Sequence, residues 1–188
     1  MTDVAHPVIR IRLAALLLLL VGCAWPQTHS SALPRFEDYP AREIYAGTLA
    51  APKLATPLEQ TYADRITVGV DAEGKKGPNF AGDLIVIQWS CGAPCVRMAV
   101  VDARSGEVHN PPISASGIGA WSFDLPLLTA GYSYSQNPEV RFRPNSSLMI
   151  VKATPNWWSP RRHPSFTYYF LWRQNRWTLL RKVPLDSR

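Results

Sequence analysis

No apolar run in this 188-residue sequence is long enough to cross a bilayer, which takes about 20 residues; the longest aliphatic stretch, Leu13 to Val21, has nine. Cysteine is scarce, three in all, and the two in the body of the chain lack further partners at ligand spacing. His109 and His163 stand alone, so the sequence gives no metal site, and no pattern calls for a cofactor. Charge is not strongly of one sign: a net of +6 does not argue for nucleic acid. Convincing helical periodicity over three turns is also missing, which turns attention to short β-prone runs and to seven tryptophans.

Arg10 and Arg12 precede the aliphatic stretch and Leu20-Val21-Gly22-Cys23 closes it. A basic start, a short apolar run and a small residue at the break read as a secretory signal peptide. The tetrapeptide resembles the lipobox of bacterial lipoproteins, whose cysteine is acylated and becomes the first mature residue. That resemblance implies removal of 1–22 and lipid on Cys23, a stable anchor because two or more acyl chains hold where one exchanges. Ala24 follows instead of the aspartate that retains such lipoproteins at the inner membrane, so the implied address is the outer membrane, facing the periplasm. The mature chain would have 166 residues, 18 of them basic and 13 acidic. That length allows one domain with a sizeable core. The expected partners are the membrane, through the lipid, and an envelope protein or anionic envelope polymer.

Residues 23–58 carry Pro26, Pro34, Pro40, Pro52 and Pro57 without a sustained period and read as a tether or extended arm. Phe36, Tyr39, Ile44 and Tyr45 suggest that its second half packs on the domain. Residues 59–188 read as a single β domain. Pro57 to Ala63 could hold a short helix, and Arg65 to Val70 reads as a strand ended by Asp71-Ala72-Glu73-Gly74. The unbroken Leu84-Ile85-Val86-Ile87 within Asp83 to Cys91 implies a strand covered on both faces. Val96 to Asp102, Glu107 to His109, Ala120 to Asp124, Glu139 to Phe142 and Ser147 to Ala153 follow. Thr167 to Trp172 and Arg176 to Val183 form a hairpin around a short polar turn, bringing Trp172 near Trp177. The expectation is an all-β fold of about eight mostly antiparallel strands, a sandwich or an irregular partly closed barrel, with a propeller-like pairing ranked below.

Cys91-Gly92-Ala93-Pro94-Cys95 is the sharpest local motif. With Cys23 acylated, two thiols remain four positions apart in an oxidising compartment, and a disulfide closing a tight loop is the first reading. A redox pair is the alternative, but three residues intervene and the flanks read as strands, removing the helix N-terminus that lowers a thiol pKa. Around it, Asn79-Phe80-Ala81-Gly82-Asp83, Trp89-Ser90-Cys91-Gly92 with Cys95, and Val100-Val101-Asp102-Ala103-Arg104-Ser105-Gly106 resemble a family of uncharacterised bacterial exported proteins and lipoproteins. There F-A-G-H-Y leads into W-G-C-G-x-x-C, and the next strand ends in V-D-x-x-T-G. The resemblance spans most of Phe80 to Val183 and implies no particular chemistry. Asp83 stands where the family usually has histidine, and Ser90 where it usually has glycine.

For catalysis, Asp83, Asp102 and His109 are the only dense set of acid and base groups, with Glu107 nearby; turn capping is the better reading of the carboxylates, and His109 is most simply a loop residue. Binding is the better reading. Trp157 and Trp158 lie in a proline-bounded loop beside Arg161, Arg162 and His163, and aromatic and arginine side chains are strong surface anchors. An inhibitor or immunity-type lipoprotein acting on a cell-wall hydrolase, a structural envelope accessory and, last, an envelope hydrolase are the alternatives.

Overall fold

The computed structural model describes residues 32–91, 95–112, 122–124, 140–153 and 165–185, the side chains of 95 and 122–124 excepted. Cys23 lies outside them. Among the described residues there are eight strands: β1 (Leu84–Ser90), β2 (Cys95–Asp102), β3 (Val108–His109), β4 (Ser122–Asp124), β5 (Val140–Arg143), β6 (Ser146–Ala153), β7 (Phe166–Arg173) and β8 (Arg176–Pro184). Two short helices precede them, α1 (Pro57–Thr61) and α2 (Ala63–Glu73), the second running into a 3-10 turn at Gly74–Lys76.

The all-β expectation is therefore corrected: the fold is mixed α/β, two open sheets and a helix, neither a pure β sandwich nor a barrel. The segment 65–70 misleads because Ile66, Thr67, Val68 and Val70 are β-branched and alternate as a strand would. Packing overrides that preference. Ile66 and Val70, four apart, are buried at 0% and 3% exposure while Val68 between them is 66% exposed, a helical and not a strand pattern. The preceding α1 starts on local signals: Thr56 accepts from the Glu59 backbone N–H (3.2 Å), Glu59 accepts back from the Thr56 N–H (2.9 Å), and Pro57 takes the first helical position. Gly69 lets α2 settle close to the sheet, since a Cβ there would stand 2.9 Å from Ile87 Cγ2.

In the first sheet β1 and β2 pair antiparallel from Leu84↔Asp102 to Ser90↔Val96, and the other edge of β2 is shared end to end by β3 and β4. The second is the antiparallel meander β5-β6-β7-β8. Leu84, Val86, Met98 and Val100 of the first sheet share one core with Met149, Val151, Tyr168 and Phe170 of the second. The opposite face of the first sheet, Ile85, Ile87, Ala99 and Val101, is covered by α2. Leu148, Ile150 and Tyr169 on the back of the second are covered by Phe36 and Tyr39. Burial on both faces accounts for the unbroken apolar runs in β1 and β6.

The proline-containing stretch 32–55 is a strap. It bonds to the sheets at intervals: Ser147 N–H to Tyr39 O (2.9 Å), Ala41 N–H to Asn145 O (2.9 Å), Tyr45 N–H to Gly82 O (2.7 Å), Ala50 N–H to Ala103 O (2.9 Å) and Lys53 N–H to Gly106 O (2.8 Å). Two glycines accept it. Gly82 and Gly106 have φ of +89° and +75°, and a Cβ on Gly106 would stand 2.1 Å from Ala51 O.

For the cysteine motif, Cys91 is exposed and disulfide-bonded; 92–94 and the Cys95 side chain lie outside the described residues, so no Cys91–Cys95 bond is among the described contacts.

Candidate functional site

The acid and base candidates separate. Asp102 Oδ1 accepts the backbone N–H groups of Arg104 (2.7 Å) and Ser105 (2.8 Å), closing the turn after β2. Asp83 lies across from Arg104, 3.8 Å from its Nε, and Arg104 in turn covers the Tyr45 ring of the strap at 4.4 Å. Burial, reinforced by the Asp102 charge and opposed by Arg104, holds the Asp83 carboxyl above its usual range. This cluster is a latch between the turn and the strap. His109 is not part of it: its side chain contacts Glu107 and Trp172.

What His109 joins is an open cleft of about 370 Å³ between His109 and Asn110 on one side and Trp172, Asn175, Arg176 and Trp177 on the other. The register explains the meeting. His109 pairs with Val100, whose side chain faces the second sheet, so the imidazole is delivered to the end of β7. It lies 5.0 Å from the Trp172 ring, centroid to centroid. Trp172 and Trp177 are cross-strand partners with centroids 4.8 Å apart at 60°. Trp177 is held twice more, stacked on Phe80 at 5.5 Å and 13°, and donating from Nε1 to Asn110 O at 2.9 Å.

Around these fixed rings stand groups without partners among the described residues. The His109 side chain is 9% exposed, and its Nε2 is buried with no hydrogen-bond partner among the described residues. Its Nδ1 is 3.8 Å from Glu107 Oε1, too long for a hydrogen bond. Arg176 is exposed, and no described carboxylate forms an ion pair with it. Gln174 and Asn175 make the hairpin turn with φ of +53° and +54°, a left-handed pair that Asn-Gly adopts more readily.

No protein-family model, curated protein or solved structure matches this chain.

Trp157, Trp158, Arg161, Arg162 and His163 lie outside the described residues. No group of three His, Cys, Asp or Glu among the described residues could hold a metal, and no described helix is long and apolar enough to cross a membrane. A second cleft, of about 340 Å³, lies beside Phe36, Arg141 and Arg143. Its arginines are already engaged, Arg143 with Glu37 at 2.7 Å and both over the Phe36 ring. Asn110, Asn175 and Arg176 escape a reading of the sequence. The signal was the near-symmetric Trp172-Arg173-Gln174-Asn175-Arg176-Trp177, which sets two indoles and two guanidinium groups around one turn.

Proposed function

We propose that this chain is an outer-membrane lipoprotein, anchored on the periplasmic side through acylated Cys23, whose folded unit binds an anionic envelope polymer at the cleft between β3 and the β7–β8 hairpin. One observation carries the reading: rigidly held indole rings adjoin Arg176, which has no acidic partner among the described residues, and the Nε2 of His109, which has no hydrogen-bond partner among them. A buried polar atom left unpaired costs about 1–3 kcal/mol, and a ligand that satisfies it recovers part of that cost. The excess of basic residues in the mature chain favours a polyanion. Tethering lets weak individual contacts add, because the lipid keeps the domain at a high local concentration beside the polymer.

Co-sedimentation of the full-length protein in detergent with purified cell-wall sacculi, and with lipopolysaccharide, tests this reading. Wild type should be retained by one of the two polymers, and Arg176→Ala with Trp177→Leu should be released. Equal retention of the double variant would remove the site, and an unacylated Cys23 in the intact mass would remove the anchor.

A further inference from the structure

The geometry points to a more specific ligand, and this step rests on the binding reading above: we propose that the cleft takes a saccharide unit carrying a carboxylate. A sugar ring presents a patch of C–H groups on one side and hydroxyls at its rim, so it needs an aromatic surface flanked by hydrogen-bonding groups. Trp177 supplies the surface. Phe80 lies flat behind its ring and Asn110 O holds its Nε1, so little freedom remains to be lost on binding. Asn175, at the turn beside it, offers an amide that both donates and accepts.

The carboxylate is called for by Arg176, which is exposed at the same cleft without an acid to pair with among the described residues. A guanidinium matches a carboxylate with two parallel hydrogen bonds, a geometry no neutral sugar uses. His109 fits a hydroxyl. Its Nε2 is nine-tenths buried with the rest of the side chain and has no described partner, and a hydroxyl satisfies an imidazole nitrogen in either tautomer, as donor or as acceptor. His109 lines the same cleft as Asn175 and Arg176, which places this unmet nitrogen at the site. An extended acidic peptide fits less well. It would bind by adding a strand to an open sheet edge, whereas this cleft is bounded by a hairpin tip and by the two residues of β3.

Carboxylated sugars occur in two envelope polymers, as a 3-deoxy-ulosonic acid in lipopolysaccharide and as the muramic acid units of the cell wall whose lactyl carboxyl carries no stem peptide. Calorimetric titration of the full-length protein in detergent micelles separates them. The probes are the N-acetylglucosamine–N-acetylmuramic acid disaccharide, 3-deoxy-octulosonic acid, the methyl ester of each, and a hexa-aspartate peptide. At least one acidic sugar should bind, its ester about tenfold more weakly. Arg176→Ala should abolish the preference for acid over ester. His109→Phe should weaken binding while raising the thermal midpoint, since the phenyl ring leaves no buried nitrogen unpaired.

Failure of both acidic sugars, equal binding of acid and ester, or preferential binding of hexa-aspartate would overturn the ligand class. Retention on sacculi or lipopolysaccharide in that case leaves the polymer-binding reading standing; loss of that retention as well removes both. A lowered midpoint with unchanged affinity in His109→Phe would make its nitrogen a structural group and overturn its role.

Discussion

At the turn after β2 the polar groups are spent on one another, whereas at the β7–β8 turn they are left over. Asp102 closes its own turn with two backbone N–H groups, Asp83 faces Arg104, and the Gly106 carbonyl receives the strap. Across the molecule, Arg176 has no described acid, His109 Nε2 has no described donor or acceptor, and Gln174 sits in a left-handed conformation that its side chain disfavours. A turn whose groups are mutually satisfied has nothing to offer a ligand; one with stored strain and unmet hydrogen-bonding capacity does. Dense acidic residues mark the first and only a few polar residues the second, so residue density is a poor guide to where recognition happens.

The largest effect that can break this contrast is at Gly106. Gly106→Val forces a side chain into a positive-φ position and against Ala51 O, so it should lift the strap and cost about 2–4 kcal/mol in denaturant unfolding. A cost under half of that would mean the strap does not depend on the turn. A smaller effect of opposite sign belongs to the other turn. Gln174→Asn keeps the hairpin with a residue that tolerates φ of about +53° and should stabilise by about 0.5–1 kcal/mol. No gain in the unfolding midpoint would show that the turn is not strained.

The smallest effect concerns Asp83, whose raised pKa means that the folded state favours its protonated form. Its contribution to stability is present in full below the ordinary aspartate value of 3.8 and is lost as pH rises through the higher folded-state value. Asp83→Asn should therefore raise the thermal midpoint slightly at pH 7 and leave it unchanged near pH 3, where both side chains are neutral. Because Asp83 is 39% exposed, solvent keeps the gain small. A fall at pH 7 would show that the ion pair with Arg104 outweighs burial.

The strands were legible because runs such as Leu84 to Ile87 and Tyr168 to Trp172 are bounded by turn residues. The helix was not, since Ile66, Val68 and Val70 suit a strand when read alone. One local sign pointed the other way, the spacing of Tyr62, Ile66 and Val70, but only packing on Ile85 and Ile87 decides between the two readings. Trp172 and Trp177 were legible as neighbours across a hairpin. That His109 joins them, and leaves Asp83 and Asp102, depends on the β2–β3 register and on one sheet facing the other, which no local pattern carries.

The most direct test is to map where a ligand touches. Two-dimensional NMR of the isotopically labelled full-length protein, titrated with the muramic acid disaccharide and then with 3-deoxy-octulosonic acid, follows the backbone amides and the Trp177 indole N–H. The predicted result is a set of saturable shifts at Val108–Asn110 and Trp172–Trp177, with the Asp83 and Asp102–Gly106 amides unmoved. Shifts centred on the Asp83–Arg104 latch, with the hairpin tip silent, would contradict the account.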